Sequence, residues 1–503
     1  LLNEYILTLI TFVPLAGAVL LALLPAKGKL IQWAALLVTL VTFVLTLHLP
    51  AHYDYSAAGF QFESDHLWIA SPAIRYHMGV DGLSLWLVVL AGFLAPFGVL
   101  TSWSSVRSRT KEFYIIFLLL QTAMFGIFVS LDLFLYYAFW ELSLVPTMLL
   151  LSIFGRTENK RRTAIKYFLY TFPPSALLLV GMLWLYAKTG TFDFPVLQKL
   201  AETHAIGGTS CALFLVSLSF LFAFAVKVPV FPLHGWLSDS ISDAPTAVAM
   251  VIAGKLGLYS MLRFSLGLFP EQSRHIAPLM VALGAIGIVY GALLALVQTD
   301  MRRLAAYSTL GHLSFCVLGI FSFTIASTDG TIYQLLNHGI SAGALFILMA
   351  ILYDRYGTYD MTQYGGLASK LPWVTTMFVL TALSLVGLPI LNGFVGEFLI
   401  LSGSFIVHPA WGTVATLGVI LSAAYMLWAV QKTFYGNLSA KCSSVTAKDM
   451  NGREHLALWP LAVLMLVMGV ASPYWMRAID MAGTKLAQPA VTTLSANVMG
   501  GTR

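Results

Sequence analysis

Long apolar runs, separated by short polar stretches, follow one another from Tyr5 almost to Met476. Many exceed the roughly 18 to 20 residues that an α-helix needs to span a hydrocarbon core. The pattern predicts about fourteen such helices. They fall near 5–24, 30–49, 82–101, 113–131, 133–153, 164–187, 210–228, 244–262, 275–297, 303–324, 331–352, 373–402, 411–431 and 457–476. A helix pairs its backbone polar groups within the segment, as lipid demands. The expected fold is an all-α membrane protein, a single integral unit over 1–503 with no soluble domain. The polar stretch 50–79 is expected as an outer loop with little structure, 434–456 as an inner loop and 477–503 as an outer tail.

Two spans, the seventh and the twelfth, are interrupted in a similar way. The first interruption reads Pro229-Val230-Phe231-Pro232-Leu233-His234-Gly235-Trp236-Leu237-Ser238-Asp239. The second reads Gly387-Leu388-Pro389-Ile390-Leu391-Asn392-Gly393-Phe394-Val395-Gly396-Glu397. Each sets proline inside an apolar run, followed by glycine, an aromatic residue and an acid. Proline removes a backbone donor and clashes with the preceding turn, so the helix breaks there. Freed backbone groups persist in a membrane only where protein or water satisfies them. Broken helices in matching positions of two halves point to a translocation site, although a packing kink repeated by chance gives the same pattern. The halves 113–262 and 275–431 are the expected inverted repeats.

Composition agrees with the bilayer as solvent. Hydrophobic residues make up 58% of the chain and charged ones 10%, against about a quarter charged in a soluble domain. Aromatic residues, 13% of the total, gather near span ends as interfacial anchors do. The net charge of +6 need not mean nucleic-acid binding. The loops after odd-numbered spans hold most of the 28 Lys and Arg residues, including Arg107, Arg109, Lys111, Lys160, Arg161 and Arg162. The positive-inside rule then sets both termini on the outer side. Cys211, Cys316 and Cys442 form no paired spacing. The first apolar run can itself direct insertion, so a removable leader is not required.

Charges inside the spans require a reason, because each costs roughly 2.5–3.5 kcal/mol at mid-membrane on insertion scales. Glu141 stands in the fifth span, Lys227 at the break of the seventh, Lys255 in Ala253-Gly254-Lys255-Leu256-Gly257 of the eighth, and Glu397 after the break of the twelfth. His234, His312 and His338 accompany them. This set has no metal-site spacing and suggests proton relay. Burial raises a glutamate pKa and lowers a lysine pKa, and histidine already titrates near neutrality. A Glu–Lys pair about 7 Å apart at an effective dielectric near 20 interacts by roughly 2.4 kcal/mol, nearly two pKa units. Uniting or separating Glu141 and Lys227 could thus switch whether the lysine keeps its proton. The alternative is a static ion pair that clips two helices together. His312 and His338 read equally as relay members or as satisfied packing residues. Lys166 reads as an interfacial residue or a functional one, and Asp300, Arg302 and Arg303 as an anchoring cluster. The chain shows no Gly-x-Gly-x-x-Gly, phosphate-cradling Gly-Lys-Ser/Thr, Cys-x-x-Cys or His-Glu-x-x-His.

The stretch Lys227-Val228-Pro229 through Ala244-Pro245-Thr246 resembles the signature of the proton-pumping membrane subunits of NADH–quinone oxidoreductase (respiratory complex I). That family also includes subunits of multi-subunit cation/proton antiporters and membrane-bound hydrogenases. Trp140-Glu141 with Pro146, Gln298 through Ser308, Asp81 through Ser84 and Gly393 through Phe398 are similar to it too, so the likeness covers nearly the whole chain. Within the family, Ser341 and Glu397 stand where related subunits usually carry lysine, and the length leaves no room for a long lateral helix. The resemblance implies an antiporter-like fold, with Glu141 and Lys227 as a coupling pair, Lys255 as central relay and Glu397 as exit residue. His234, His312 and His338 match histidines near a hydrated axis. The family usually has histidine where Ile241 stands, which puts any relay through that position in doubt.

The resemblance further implies a proton-translocating part of an oxidoreductase that carries no cofactor, metal or redox site itself. FMN, iron–sulfur clusters and quinone are expected elsewhere in the complex. Expected partners are neighbouring antiporter-like subunits, other membrane subunits, the peripheral arm and lipids, in a bacterial inner membrane. The main rival is a cation/proton antiporter subunit driven by an ion gradient, and the other is a structural membrane scaffold.

Overall fold

A computed structural model describes residues 2–26, 28–57, 59–252 and 255–500 of the 503-residue chain. The first part contains α1 (Leu2–Leu23), α2 (Gly28–His52), β1 (Gln61–Ile69), β2 (Ile74–Val80), α3 (Leu85–Ser105), α4 (Thr110–Val129) and α5 (Leu133–Phe154). It continues through α6 (Lys160–Thr189), α7 (Phe194–Glu202), α8 (Ser210–Lys227), α9 (Leu237–Asp243), α10 (Thr246–Ile252) and α11 (Lys255–Ser260). The second part contains α12 (Pro270–Leu296), α13 (Met301–Phe321), α14 (Ile325–Tyr356), α15 (Pro372–Val386), α16 (Asn392–Val407) and α17 (Pro409–Phe434). Beyond these lie α18 (Ala440–Ser444), α19 (Gly452–Val470) and α20 (Pro473–Gly500).

Among the described residues, thirteen stretches are long and apolar enough to cross a membrane, and α15 with α16 make the interrupted twelfth span. The expected eighth span passes through Ala253 and Gly254, which lie outside the described residues. Its far end, Met261–Leu266, is a π-helical stretch, a rare local form that often marks functional positions.

Burial separates centre from rim. In α13 and α14, 94% of the most apolar window is buried, against 39% in α2, α6 and α17. The rim helices turn Trp33, Leu37, Val180 and Ile420 outward, where lipid rather than water is the fitting neighbour. His312 and His338 lie on the two central helices, α13 and α14.

Two halves carry one device on opposite faces. Asp132 caps α5 by accepting from the backbone of Phe134 and Leu135 at 2.9 and 3.0 Å, and pairs through its backbone with Asp193. Asp300 caps α13 by accepting from Arg302 and Arg303, both at 2.9 Å, and pairs with Asp360. The first device lies beside the β-hairpin and the second beside Arg156 and Tyr353. Such an inversion is what a repeat of opposite topology produces.

Residues 50–79 differ from the expected unstructured loop. They contain most of an antiparallel hairpin in which Ser64 faces Met78 and His66 faces Tyr76. The period-2 series Ile74, Tyr76, Met78, Val80 is the cause: three of the four are buried, as one face of a strand packed on the helices requires. The tail segment is helical in α20, where Ala478, Ile479 and Ala482 form a buried stripe.

Candidate functional site

The first break leaves few loose ends. Trp236 Nε1 donates to the Val226 carbonyl at 2.9 Å, and the Val230 amide donates to Ala225. Lys227, the last residue of α8, is buried and donates from Nζ to the Tyr167 hydroxyl on α6 at 2.8 Å. Its ammonium also lies 5.5 and 5.3 Å from the ring centroids of Trp140 and Tyr167, within cation–π range.

Glu141 stands beside Trp140 yet does not pair with Lys227. It accepts a hydrogen bond from Ser175, also on α6. Ser175 and Tyr167 are eight residues apart, roughly 12 Å along a helix axis. The anticipated coupling pair is therefore not a direct ion pair in this conformation, because a separate α6 hydroxyl serves each charge.

Four of the other five ionisable residues form a buried row. Lys255 heads α11 and donates from Nζ to the Met250 carbonyl at 3.0 Å. Gly339 on α14 passes close to it: a Cβ there would stand 3.2 Å from Lys255 Cε. His338 is the next residue, and its ring centroid is 5.7 Å from that of His312 on α13. His312 Nδ1 donates to Glu397 Oε1 on α16 at 2.8 Å, and Gln334 Nε2 donates to the same oxygen at 3.0 Å. All four residues are at most 4% exposed. His312 Nε2 and His338 Nδ1 have no partner among the described residues, so each ring keeps a nitrogen free to take or release a proton.

The second break lies beside this row. Gly387 ends α15 with φ +77°, a left-handed conformation, and a Cβ there would come 3.0 Å from Glu397 Oε2. Glycine thus serves both the turn and the approach of the carboxylate. Ser384, Ser341 and Asn392 close the gap: Ser384 Oγ bonds Asn392 Oδ1 and Ser341 Oγ, each at 2.6 Å. Uncharged Ser341 is thereby satisfied.

His234 is set apart from the row. Its ring lies 5.7 Å from Phe231 and 5.1 Å from Tyr290, with Nδ1 unpartnered among the described residues. Ile241 is fully buried. Lys166 pairs with Asp239 at 2.7 Å on the rim of a cleft of about 610 Å³ that also holds Asp243 and Arg303. Arg302 is an anchor: it donates to the Ile241 and Ala244 carbonyls at 3.0 and 2.5 Å and to Thr246 at 2.9 Å.

The hairpin face carries two further charge clusters. Arg263 donates to both oxygens of Asp81 at 2.6 Å. Burial pushes the Asp81 pKa up, but Arg263 outweighs it and holds the carboxyl below its ordinary range. His77 donates to Asp193 at 2.5 Å and lies 3.2 Å from Glu63. Burial lowers its pKa, and the two carboxylates more than reverse that, leaving it raised.

The family described as NADH:quinone oxidoreductase/Mrp antiporter, transmembrane, matches residues 130–422, a stretch that holds both breaks and the whole buried row. The chain belongs to this family. Among its antiporter-like relatives, NADH-quinone oxidoreductase subunit M of Rhodobacter capsulatus is 41% identical over 485 residues, 93% of each chain. NADH-ubiquinone oxidoreductase chain 4 of Arabidopsis thaliana is 37% identical, over 91% of this chain and 92% of that one. A chain in the solved respiratory complex I from Thermus thermophilus with bound NADH superposes with a TM-score of 0.86 at 31% identity, covering 96% of this chain and 99% of that one.

The residues that hold Lys227 and Glu141, Tyr167 and Ser175, are themselves uncharged. They lie eight residues apart on α6, which sets them on one face; that spacing was their available signal. Gln334 and Asn337, on the His338 side of α14, had a similar one.

Proposed function

We propose that this chain is an antiporter-like subunit of type M in the membrane arm of a respiratory NADH–quinone oxidoreductase, where it moves protons across the bilayer. The observation that carries the reading is the Lys255–His338–His312–Glu397 row, buried in the centre of the molecule. Quinone reduction elsewhere in the complex sends an electrostatic disturbance along the arm. Glu141 and Lys227 change their separation, Lys227 and Lys255 exchange a proton, and Glu397 passes one outward. Moving each proton against 100 mV takes about 2.3 kcal/mol from the potential alone, comparable with the coupling of roughly 2.4 kcal/mol available to a Glu–Lys pair at about 7 Å.

FMN, iron–sulfur clusters and quinone belong to other subunits in this reading, and this chain carries no redox site. Neighbouring antiporter-like subunits, the peripheral arm and lipid surround it. It resides in a bacterial inner membrane with the hairpin face and both termini outward. Basic Arg107, Arg161 and Arg162 on the opposite loops support that orientation.

The test is replacement of Lys227 or Glu141 by alanine in the assembled complex. Each variant should sharply lower pumping-coupled turnover while the complex still assembles. Normal pumping in both would refute the roles. Sodium-dependent transport without NADH or quinone, and co-purifying subunits that lack a flavin arm, would favour a cation/proton antiporter instead.

A further inference from the structure

A cavity of about 20 Å³ lies against Lys255 between α3, α4 and α10. Leu90, Ala91, Leu94 and Met124 make much of its wall, which is hydrocarbon except for two side chains, Lys255 and Gln121. Gln121, on α4, is 4% exposed, and neither its amide oxygen nor its amide nitrogen has a hydrogen-bond partner among the described residues. A buried amide left unpaired at both ends is costly, so such groups ordinarily hold a partner or an ordered water. The cavity is large enough for one, because a water needs roughly 10–15 Å³ by this measure. It also needs at least two polar partners, and the two side chains supply them. Of the three ammonium donors of Lys255, the Met250 carbonyl engages one.

We propose that Gln121 is a positioning residue that holds a water against Lys255 Nζ, and that Lys255 is loaded with its proton through that water. This rests on the reading of Lys255 as a relay residue. Loading is balanced in atoms and charge: a hydronium O–H bond breaks, an N–H bond forms on the amine lone pair, and neutral water remains.

The amide suits the task because Lys255 must be tolerated in two charge states. The ammonium needs an acceptor and the amine needs a donor, and a water held by an amide can turn to be either. A carboxylate at this position would pin the ammonium, whereas a hydrocarbon side chain would leave the amine without a donor. Gly339 completes the arrangement. A side chain there would meet Leu90 Cδ2 at 2.6 Å and Lys255 Cε at 3.2 Å, so only a bare backbone lets α14 close in on the lysine. Lys255 therefore has the cavity on its α4 side and the histidine row on its α14 side.

The experiment uses the whole complex in sealed vesicles, with NADH-driven proton transport, pH profile and solvent deuterium isotope effect as readouts. Gln121→Met keeps the shape and suits an apolar wall, so a purely structural role for the amide predicts unchanged transport. The proposal predicts a fall of roughly tenfold, with a larger isotope effect. Ala91→Val fills the cavity, leaves the amide in place and should give the same loss. Gln121→Glu should be slow at neutral pH and recover as the medium is acidified and the new carboxyl takes up a proton. Wild-type transport and isotope effect in Gln121→Met and Ala91→Val would overturn the proposal. Should Gln121→Met fail to assemble, Ala91→Val and the Gln121→Glu pH profile decide. Lys255→Ala separates the two levels: normal pumping there removes the relay reading itself. Lost pumping there beside normal Gln121→Met and Ala91→Val removes only the role of Gln121.

Discussion

His312 and Glu397 are joined by a 2.8 Å hydrogen bond although they stand on different helices, 85 residues apart. Both are almost wholly buried, so removing one partner leaves the other unsatisfied away from water, a cost of about 1–3 kcal/mol. Glu397→Gln should lower proton-coupled turnover about ten- to hundredfold. His312→Ala should lose a similar amount, and the double variant should lose little more than either single one, as residues acting as a unit do. NADH-driven transport in the three variants checks this. Losses that multiply would show that the two residues act separately.

Lys227 depends on the Tyr167 hydroxyl in the same way. Tyr167→Phe removes a single oxygen and leaves a buried ammonium without its acceptor, a loss of about 1–3 kcal/mol. Coupled turnover should fall about tenfold at the site. The apolar body of the ring stays in place, so the assembled amount of the complex should change little. Quantifying assembled complex beside turnover distinguishes a site effect from a folding defect.

Arg263 and Asp81 tie the π-helical end of the eighth span to the start of α3. Arg263→Met leaves the carboxylate unpaired and should destabilise this region by about 3–5 kcal/mol, visible as a lower unfolding temperature of the purified complex. The pH dependence has a definite sign. The Asp81 pKa is depressed in the folded state, so its contribution is present above the ordinary carboxylate range. It disappears as pH falls through the depressed value. Wild-type protein should lose this increment in acid, and the Asp81→Asn variant should lack it at every pH.

His77 has the opposite sign. Its pKa is raised by Asp193 and Glu63, so the stabilisation is complete below the ordinary histidine value of about 6.5 and is lost as pH rises through the raised one. Amide exchange in residues 61–80 should accelerate across that window by more than base catalysis explains. His77→Gln should abolish the extra step, whereas an unchanged profile in that variant would show that other groups hold the hairpin.

Much of this was legible in the chain. Spans could be placed because lipid leaves a helix no other way to satisfy its backbone. Glu141, Lys227, Lys255 and Glu397 stood out because a charge in a span is costly. Their partners did not, because Ser175, Tyr167, Gln334 and Gln121 are ordinary residues in apolar runs and gain meaning only from helices far away in sequence. The separate α6 hydroxyls that hold Glu141 and Lys227 in this conformation were not legible for the same reason: proximity of charge types says nothing of neutral partners on another helix. The hairpin was missed although Ile74, Tyr76, Met78 and Val80 alternate, because polar surroundings outweighed a short period-2 signal.

The row from Lys255 to Glu397 begins with a base that is cationic when loaded and finishes with an acid that is anionic when unloaded. Handing one proton from the first to the last erases both charges together. The interior then holds a neutral amine and a neutral carboxyl, the state that a poorly polarisable medium favours. Under the proton relay proposed above, discharge would run with the dielectric and recharging against it, so the return stroke would have to be driven from outside.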